Sequence, residues 1–267
     1  MKKQSVSVVE TGRWMRRTRK ADGESMGTIR LDKLLAASGA GTRSEVKNFI
    51  RKGRVTVNGT VCKNADSKAD AESDVICLDG QPVFYSEFEY HMLYKPAGCV
   101  TAARDARYET VMDYITSARK KDLFPVGRLD LDTEGLLLVT NDGDLAHRLL
   151  APGKHVDKTY FARVQGEVTP EDIARFQDGL DIGEDRTTMP AVLEILSAGE
   201  ISEVYVTIQE GKFHQIKRMF AAVGKTVLYL KRLRMGSLVL DPALQAGESR
   251  LLSQKEIDDL RKGAAHE

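Results

Sequence analysis

Long apolar runs are missing from this sequence. None approaches the ~20 residues that a helix needs to cross a bilayer. The opening stretch MKKQSVSVVETGRWMRRTRKADGESMG is basic but has no apolar core and no cleavage pattern. It does not read as a secretory signal, and a cytoplasmic location is expected. Cysteine is scarce: Cys62, Cys77 and Cys99 are too scattered for a disulfide framework and form no C-x-x-C pair. The histidines show no ligand spacing, and His147 and His155 have no acidic motif between them. No phosphate-binding glycine loop or dinucleotide fingerprint occurs. No metal and no cofactor are therefore expected. There is no internal repeat.

An excess of one charge is also missing. Lys+Arg number 40 and Asp+Glu 39, for a formal net charge of +1. The distribution is less even than the total. Across 29–70 the cations Arg30, Lys33, Arg43, Lys47, Arg51, Lys52, Arg54, Lys63 and Lys68 face only Asp32, Glu45, Asp66 and Asp70. Across 211–234 stand Lys212, Lys217, Arg218, Lys225, Lys231, Arg232 and Arg234 with no acid. Segregated charge creates local potentials that a polyanion can use, whatever the net value.

What is there divides along the chain. Residues 1–27 lack periodicity and read as a disordered basic tail. Leu31, Leu34 and Leu35 share one face of a short helix that stops at Gly39. Thr42 or Ser44 can cap a second helix over 45–52, with Val46, Phe49 and Ile50 on its apolar face. Residues 54–59 alternate as a strand and end in Asn58-Gly59, a turn pair, and 75–78 is another short strand before Asp79-Gly80. This makes a helix-helix-strand domain over 28–80, followed by a linker over 81–89. From Tyr90 to about 262, strands at 91–94, 136–140, 158–164, 191–197, 203–208, 227–234 and 237–240 mix with helices at 110–115, 144–150, 170–177, 213–223 and 253–262; 263–267 is a tail. Strands and helices without regular βαβ alternation indicate an α+β fold.

The segment Phe124-Pro-Val-Gly-Arg-Leu-Asp-Leu-Asp-Thr-Glu-Gly-Leu-Leu-Leu-Val-Thr-Asn-Asp-Gly143 places Arg128 and Asp130 in a turn between apolar stretches. Turns on a rigid scaffold are where reactive side chains tend to sit. A guanidinium near a carboxylate keeps it ionised, as a nucleophile or base requires. The residues alone do not choose between Asp130 and Asp132. They are also compatible with an ordinary charged loop, and Tyr160 with a half-buried strand aromatic.

Residues 127–143, read as G-R-L-D-x-x-T-x-G-L-L-L-x-T-x-D-G, resemble the catalytic motif of the bacterial ribosomal RNA pseudouridine synthases. Tyr94-Lys-Pro-Ala-Gly98 resembles that family's first motif, Asp157-Lys-Thr-Tyr-Phe161 its aromatic-bearing strand, and Glu210-Gly-Lys-Phe-His-Gln-Ile-Lys-Arg-Met-Phe220 its C-terminal motif. The 28–80 domain resembles the S-four RNA-binding domain. Several motifs in the right order carry far more weight than any one alone.

The resemblance implies a catalytic domain on a large mixed, mainly antiparallel sheet with flanking helices. It makes Asp130 the nucleophile, Tyr160 the aromatic that stacks on a flipped uracil, and Lys217 the cation that pairs with the carboxylate. Many relatives have arginine at that last place, and lysine lacks the bidentate fork. Arg128 is expected to share its role. Lys158, Arg218 and Lys95 are expected to support the site or bind substrate, and Ile216 to form an apolar wall. Lys212, Lys217, Arg218, Lys231, Arg232 and Arg234 are the expected phosphate contacts. Arg43, Lys47, Arg51, Lys52 and Arg54 are expected to dock structured rRNA. The Lys158-Thr159-Tyr160 triplet and the Tyr94-Lys-Pro-Ala-Gly98 start are more similar to the small-subunit (RsuA-type) branch. That implies a monomer modifying one uridine of 16S rRNA within an assembly intermediate. The alternatives are a 23S rRNA synthase, a non-catalytic RNA-binding assembly factor, or an RNA methyltransferase. The absence of a glycine-rich strand-turn-helix argues against the last.

Overall fold

The computed structural model describes residues 28–263 apart from 72 and 84. The basic tail expected over 1–27 lies outside the described residues. The chain divides into two compact units, Met1–Glu87 and Phe88–Glu267. No helix among the described residues is long and apolar enough to cross a membrane.

In the first unit, β1 (Ile29–Arg30) leads into α1 (Leu31–Ala37) and α2 (Arg43–Arg51). Thr42 caps α2 reciprocally: the Glu45 amide donates to Thr42 Oγ1 at 3.4 Å, and the Thr42 amide donates to Glu45 Oε2 at 2.8 Å. Such a box satisfies two amides that a helix start leaves unpaired. Leu31, Leu34 and Leu35 pack with Val46, Ile50, Val55 and Ile76 in one core. Strands β2 (Val55–Val57), β3 (Thr60–Cys62), β4 (Lys68–Ala69), β5 (Ile76–Leu78) and β6 (Gln81–Pro82) complete the unit. β3-β2-β5-β6 form one sheet, and β1 pairs with β4. Asn58 and Gly59 both take positive φ (52° and 78°), which twists the β2–β3 hairpin as its neighbours require. The stretch 81–89, expected as a linker, spans the end of the first unit and the start of the second. Its first residues are β6, and the Glu89 amide already donates to Asn141 in the second unit.

The second unit is built on a nine-stranded sheet. Its strands are β7 (Tyr90–Lys95), β8 (Phe124–Pro125), β9 (Glu134–Thr140), β10 (Lys158–Gln165), β11 (Val192–Ser197), β12 (Ile201–Ile208), β13 (Thr226–Met235), β14 (Leu238–Val239) and β15 (Ser249–Leu251). The main path runs β11-β12-β10-β13-β9-β7-β15. Among the described strands only β13 and β9 pair in parallel as a ladder, through Lys231↔Glu134 and Arg232↔Gly135. The mixed, mainly antiparallel sheet is the expected one. At this parallel junction a side chain has no room: a Cβ on Gly135 would lie 2.2 Å from the Arg232 carbonyl oxygen, and its φ is 103°.

Helices α3 (Gly143–Leu150), α4 (Pro170–Asp178), α5 (Gln215–Ala222) and α6 (Gln254–Gly263) flank the sheet. The expected helix over 110–115 is a 3-10 turn, Val111–Tyr114. One core gathers Ala162, Val164, Val204 and Val206 from the strands with Phe176 of α4 and Ile216, Met219 and Phe220 of α5. A second gathers Leu136 and Leu138 of β9 with Leu145 and Leu149 of α3. Tyr160 and Leu129 belong to the first core, so the turn bearing Asp130 is anchored beside α5.

Candidate active site

The turn before β9 is held from both sides. Gly127 turns the chain at φ 76°. Thr101 Oγ1 donates to the Leu129 carbonyl at 2.8 Å and accepts the Leu129 amide at 3.1 Å. The Thr133 amide donates to the Asp130 carbonyl at 3.2 Å and closes the turn. Beneath it runs the Lys95-Pro-Ala-Gly98 segment. The Lys95 ammonium donates to the carbonyls of Pro96 (3.0 Å), Leu131 (3.3 Å) and Thr133 (2.9 Å), and the Gly98 amide to Leu131 O at 2.8 Å. Lys95 is fully buried. Burial lowers its pKa, with the neighbouring Cys99, Asp132 and Asp130 acting the other way.

Asp130 projects from this frame towards α5. Lys217 Nζ lies 3.2 Å from Asp130 Oδ2 and 2.5 Å from Asp132 Oδ1, so one cation bridges both carboxylates. Their exposures differ sharply: the Asp130 side chain is 25% exposed, that of Asp132 71%. The less hydrated carboxylate is the one a reacting group meets inside a cleft. Burial pulls the Asp132 carboxyl up, but the Lys217 contact outweighs it and leaves it below the usual range. Burial likewise pulls Lys217 down, and the two carboxylates hold it above the ordinary lysine value. His214 Nε2 stands 3.7 Å from Asp130 Oδ1.

The cleft around Asp130 encloses about 430 Å³ of atom-free space, part of it open to solvent. Arg128, Tyr160, Thr133, His214, Ile216 and Lys217 are among its lining residues. Tyr160 is 7% exposed and sits on β10 opposite Arg232. Ile216 and Leu230 supply apolar wall. Thr133 is buried, and its hydroxyl has no hydrogen-bond partner among the described residues. The arrangement offers a carboxylate paired with a cation, next to an aromatic face and an apolar wall. This suits covalent or base chemistry on a flat, polar ring. Among the described residues no cluster of three or more His, Cys, Asp or Glu side chains could hold a metal.

The RNA pseudouridylate synthase family model matches residues 89–222. The chain belongs to that family. The S4 domain model matches residues 29–76 of this synthase. It is 46% identical over 239 residues to the Bacillus subtilis (strain 168) protein named uncharacterized RNA pseudouridine synthase YtzG, covering 89% of this chain and 100% of the relative. It is 39% identical over 231 residues to ribosomal small subunit pseudouridine synthase A of Escherichia coli (strain K12), covering 86% and 98%. A crystal structure of a pseudouridylate synthase matches with a TM-score of 0.62 and 38% identity, over 87% of this chain and 99% of that one.

The synthase brings together Asp130, Tyr160, Ile216 and Lys217, with Arg128 and Lys212 also on the cleft wall, while Lys95, Lys158 and Arg218 are not among its lining residues. Arg128 lines the cleft, but no ion pair among the described residues joins it to Asp130; that partner is Lys217. Lys95 is no substrate contact, because three carbonyls occupy its ammonium within the interior. Lys158 is buried too and donates to the Val156 carbonyl at 2.9 Å. Burial, with Arg232 nearby, pulls its pKa down to about 8. Arg218 grips Glu184 and the carbonyls of Phe213 and Ile182, so it braces the loop before α5.

The remaining cations expected on phosphate are also engaged. Lys212 donates to the carbonyls of Arg186 and Thr187, and Arg234 to that of Gly236. Arg232 is 2% exposed and donates to Leu136 O, while Lys231 lies 4.3 Å over the Tyr94 ring. In the first unit Arg54 is committed to Asp79 and to the Phe49 ring, 4.2 Å away. Lys47 reaches Asp32 at 3.8 Å. Arg43, Arg51 and Lys52 remain exposed.

His214 is the site residue the sequence reading missed. The helix expected from Phe213 begins only at Gln215, and His214 is its N-cap in the left-handed region (φ 49°, ψ 34°). The available signal was its place inside the Glu210–Phe220 motif, two residues before Ile216.

Proposed function

We propose that this synthase isomerises one uridine of 16S rRNA, presented in a ribosome-assembly intermediate, with Asp130 as the nucleophile. The observation that carries the proposal is the Asp130 carboxylate, 3.2 Å from the Lys217 ammonium in a cleft that Tyr160 also lines. Support for the substrate comes from the relatives named for the ribosomal small subunit, 38% identical in Haemophilus influenzae and 39% in Escherichia coli. The proposal includes action as a monomer in the cytoplasm.

A stacked uridine cannot reach this carboxylate, so the nucleotide is flipped out at a cost of a few kcal/mol. Stacking on Tyr160 returns ~1–3 kcal/mol of it. Asp130 can attack the anomeric carbon, take a ribose proton to leave a glycal, or add to the base. Each route breaks the bond between N1 and the ribose, turns the base, and joins its C5 to the same ribose carbon. The C5 proton leaves, and N1 gains one. Nothing is oxidised or reduced. Lys217 pairs with the carboxylate as water leaves the cleft. Tyr160 faces the base and can assist loss of the C5 proton. Arg128, exposed at the rim, meets phosphate, and Arg43, Arg51 and Lys52 extend the electrostatic footprint over the first unit.

The test is Asp130→Asn with 16S rRNA carrying tritium at uracil C5. The variant is expected to fold and bind RNA like the wild type while releasing no tritium. Tritium release at the wild-type rate overturns the assignment.

A further inference from the structure

We propose that the exposed ring of Phe213 is a second nucleobase site, a stacking platform for a base next to the flipped uridine. The inference rests on the proposed RNA substrate and extends it to the flanking nucleotide.

Phe213 is 68% exposed, against 50% for Tyr108. An aromatic left this open in water gives up most of the burial that favours such a side chain. Its ring is nevertheless fixed. One face lies on the His214 imidazole, with centroids 3.9 Å apart and planes 18° from parallel. The Phe213 carbonyl accepts from Arg218 Nη1 at 3.1 Å. The amide of the preceding Lys212 donates to Gln215 Oε1 at 2.9 Å, and the Lys212 ammonium is tied to the carbonyls of Arg186 and Thr187. The loop is thus braced on both sides of an apolar ring that rests on His214 and otherwise stands largely open to solvent.

The platform's second partner places it at the reaction. His214 lines the cleft, and its Nε2 is 3.7 Å from the Asp130 carboxylate. His214 itself lies in the left-handed region, and its side chain, 41% exposed, stands between Phe213 and the cleft. A non-glycine residue in that region carries a conformational cost that surrounding contacts must offset, and such residues cluster at working sites. From Asp130 outward the order is carboxylate, imidazole, phenyl ring, open solvent. A base stacked on the open face of Phe213 continues that column, while the neighbouring uridine turns into the cleft towards Tyr160. Arg128, exposed on the cleft rim, is placed to meet the connecting phosphate. Stacking accepts any base, because every base has a flat π-face. The platform therefore holds the flanking nucleotide without reading its identity.

The experiment compares Phe213→Ala, Phe213→Leu and Phe213→Trp in the full chain. One readout is tritium release from 16S rRNA. The other is fluorescence of a single-stranded RNA probe in which 2-aminopurine flanks one uridine. Wild type and Phe213→Trp are expected to quench the probe. Phe213→Ala and Phe213→Leu are expected to lose the quenching and to lower kcat/KM by about 5- to 100-fold, mostly through KM. Their melting temperatures stay at the wild-type value, because the ring buries little surface. Full quenching and wild-type kcat/KM in Phe213→Leu overturn the platform, since an apolar group without a π-face has then replaced it. If the wild type releases no tritium, the substrate reading fails instead, and the quenching comparison still decides the platform.

Discussion

Removing the Lys217 ammonium is the perturbation that most directly probes how the carboxylate is kept ready. At 3.2 Å and an effective dielectric of about 20, the attraction between Lys217 and Asp130 amounts to about 5 kcal/mol. Both side chains are 25% exposed, so water screens part of this, and their own desolvation offsets more. A net value of about 2 kcal/mol remains, equivalent to roughly 30-fold in rate when it is lost from the reacting state. Lys217→Met is therefore expected to lower kcat/KM for tritium release by roughly 30-fold while RNA affinity falls much less. Lys217→Arg keeps the charge and brings a fork able to serve Asp130 and Asp132 together, so it restores most of the activity. The bridge to Asp132 is a different matter. That carboxylate is 71% exposed, and such pairs contribute about 0–1 kcal/mol. Lys217→Met with wild-type kcat/KM would refute the reasoning, because the ion pair with Asp130 would then have no part in the reaction.

Two further outcomes follow from the buried frame of the catalytic unit. Gly135→Ala forces a Cβ to within 2.2 Å of the Arg232 carbonyl at a φ of 103°. A loss of about 3–5 kcal/mol is expected, read as a lower urea midpoint at unchanged slope. Lys158 is held at about 8 when folded. Between that pH and the ordinary lysine value the unfolded chain keeps a proton that the folded chain has released. Stability contributed by this group therefore rises with pH across that window, by up to about 3 kcal/mol, and is lost as pH falls through about 8. Urea unfolding at both ends of the window, for wild type and Lys158→Met, isolates the effect. An equal rise in the variant removes Lys158 as its source.

The local signals in the sequence governed the elements because their causes are local. The alternation of 158–164 became β10, the Asn58-Gly59 pair became a positive-φ hairpin turn, and Thr42 with Glu45 became a closed capping box. The α5 start was misplaced by two residues, because a histidine at positive φ leaves no compositional mark of the kind glycine does. The 3-10 turn at Val111–Tyr114 carried the same apolar spacing as a short helix.

What the sequence determined by itself was the order of the motifs, the turn that presents Asp130, and the apolar stripe that seats α5 with Ile216 inward. Those follow from side-chain period and turn chemistry, which act over a few residues. Only the tertiary structure decided which cation meets which anion. Lys217 rather than Arg128 reaches Asp130, Lys95 and Lys158 end in the interior on backbone carbonyls, and Arg54 is taken by Asp79. A lysine or arginine reads alike in sequence whether it faces solvent, a carboxylate or a carbonyl. Its role is set by long-range strand pairing and by the water that pairing removes, and neither quantity is written in the neighbouring residues.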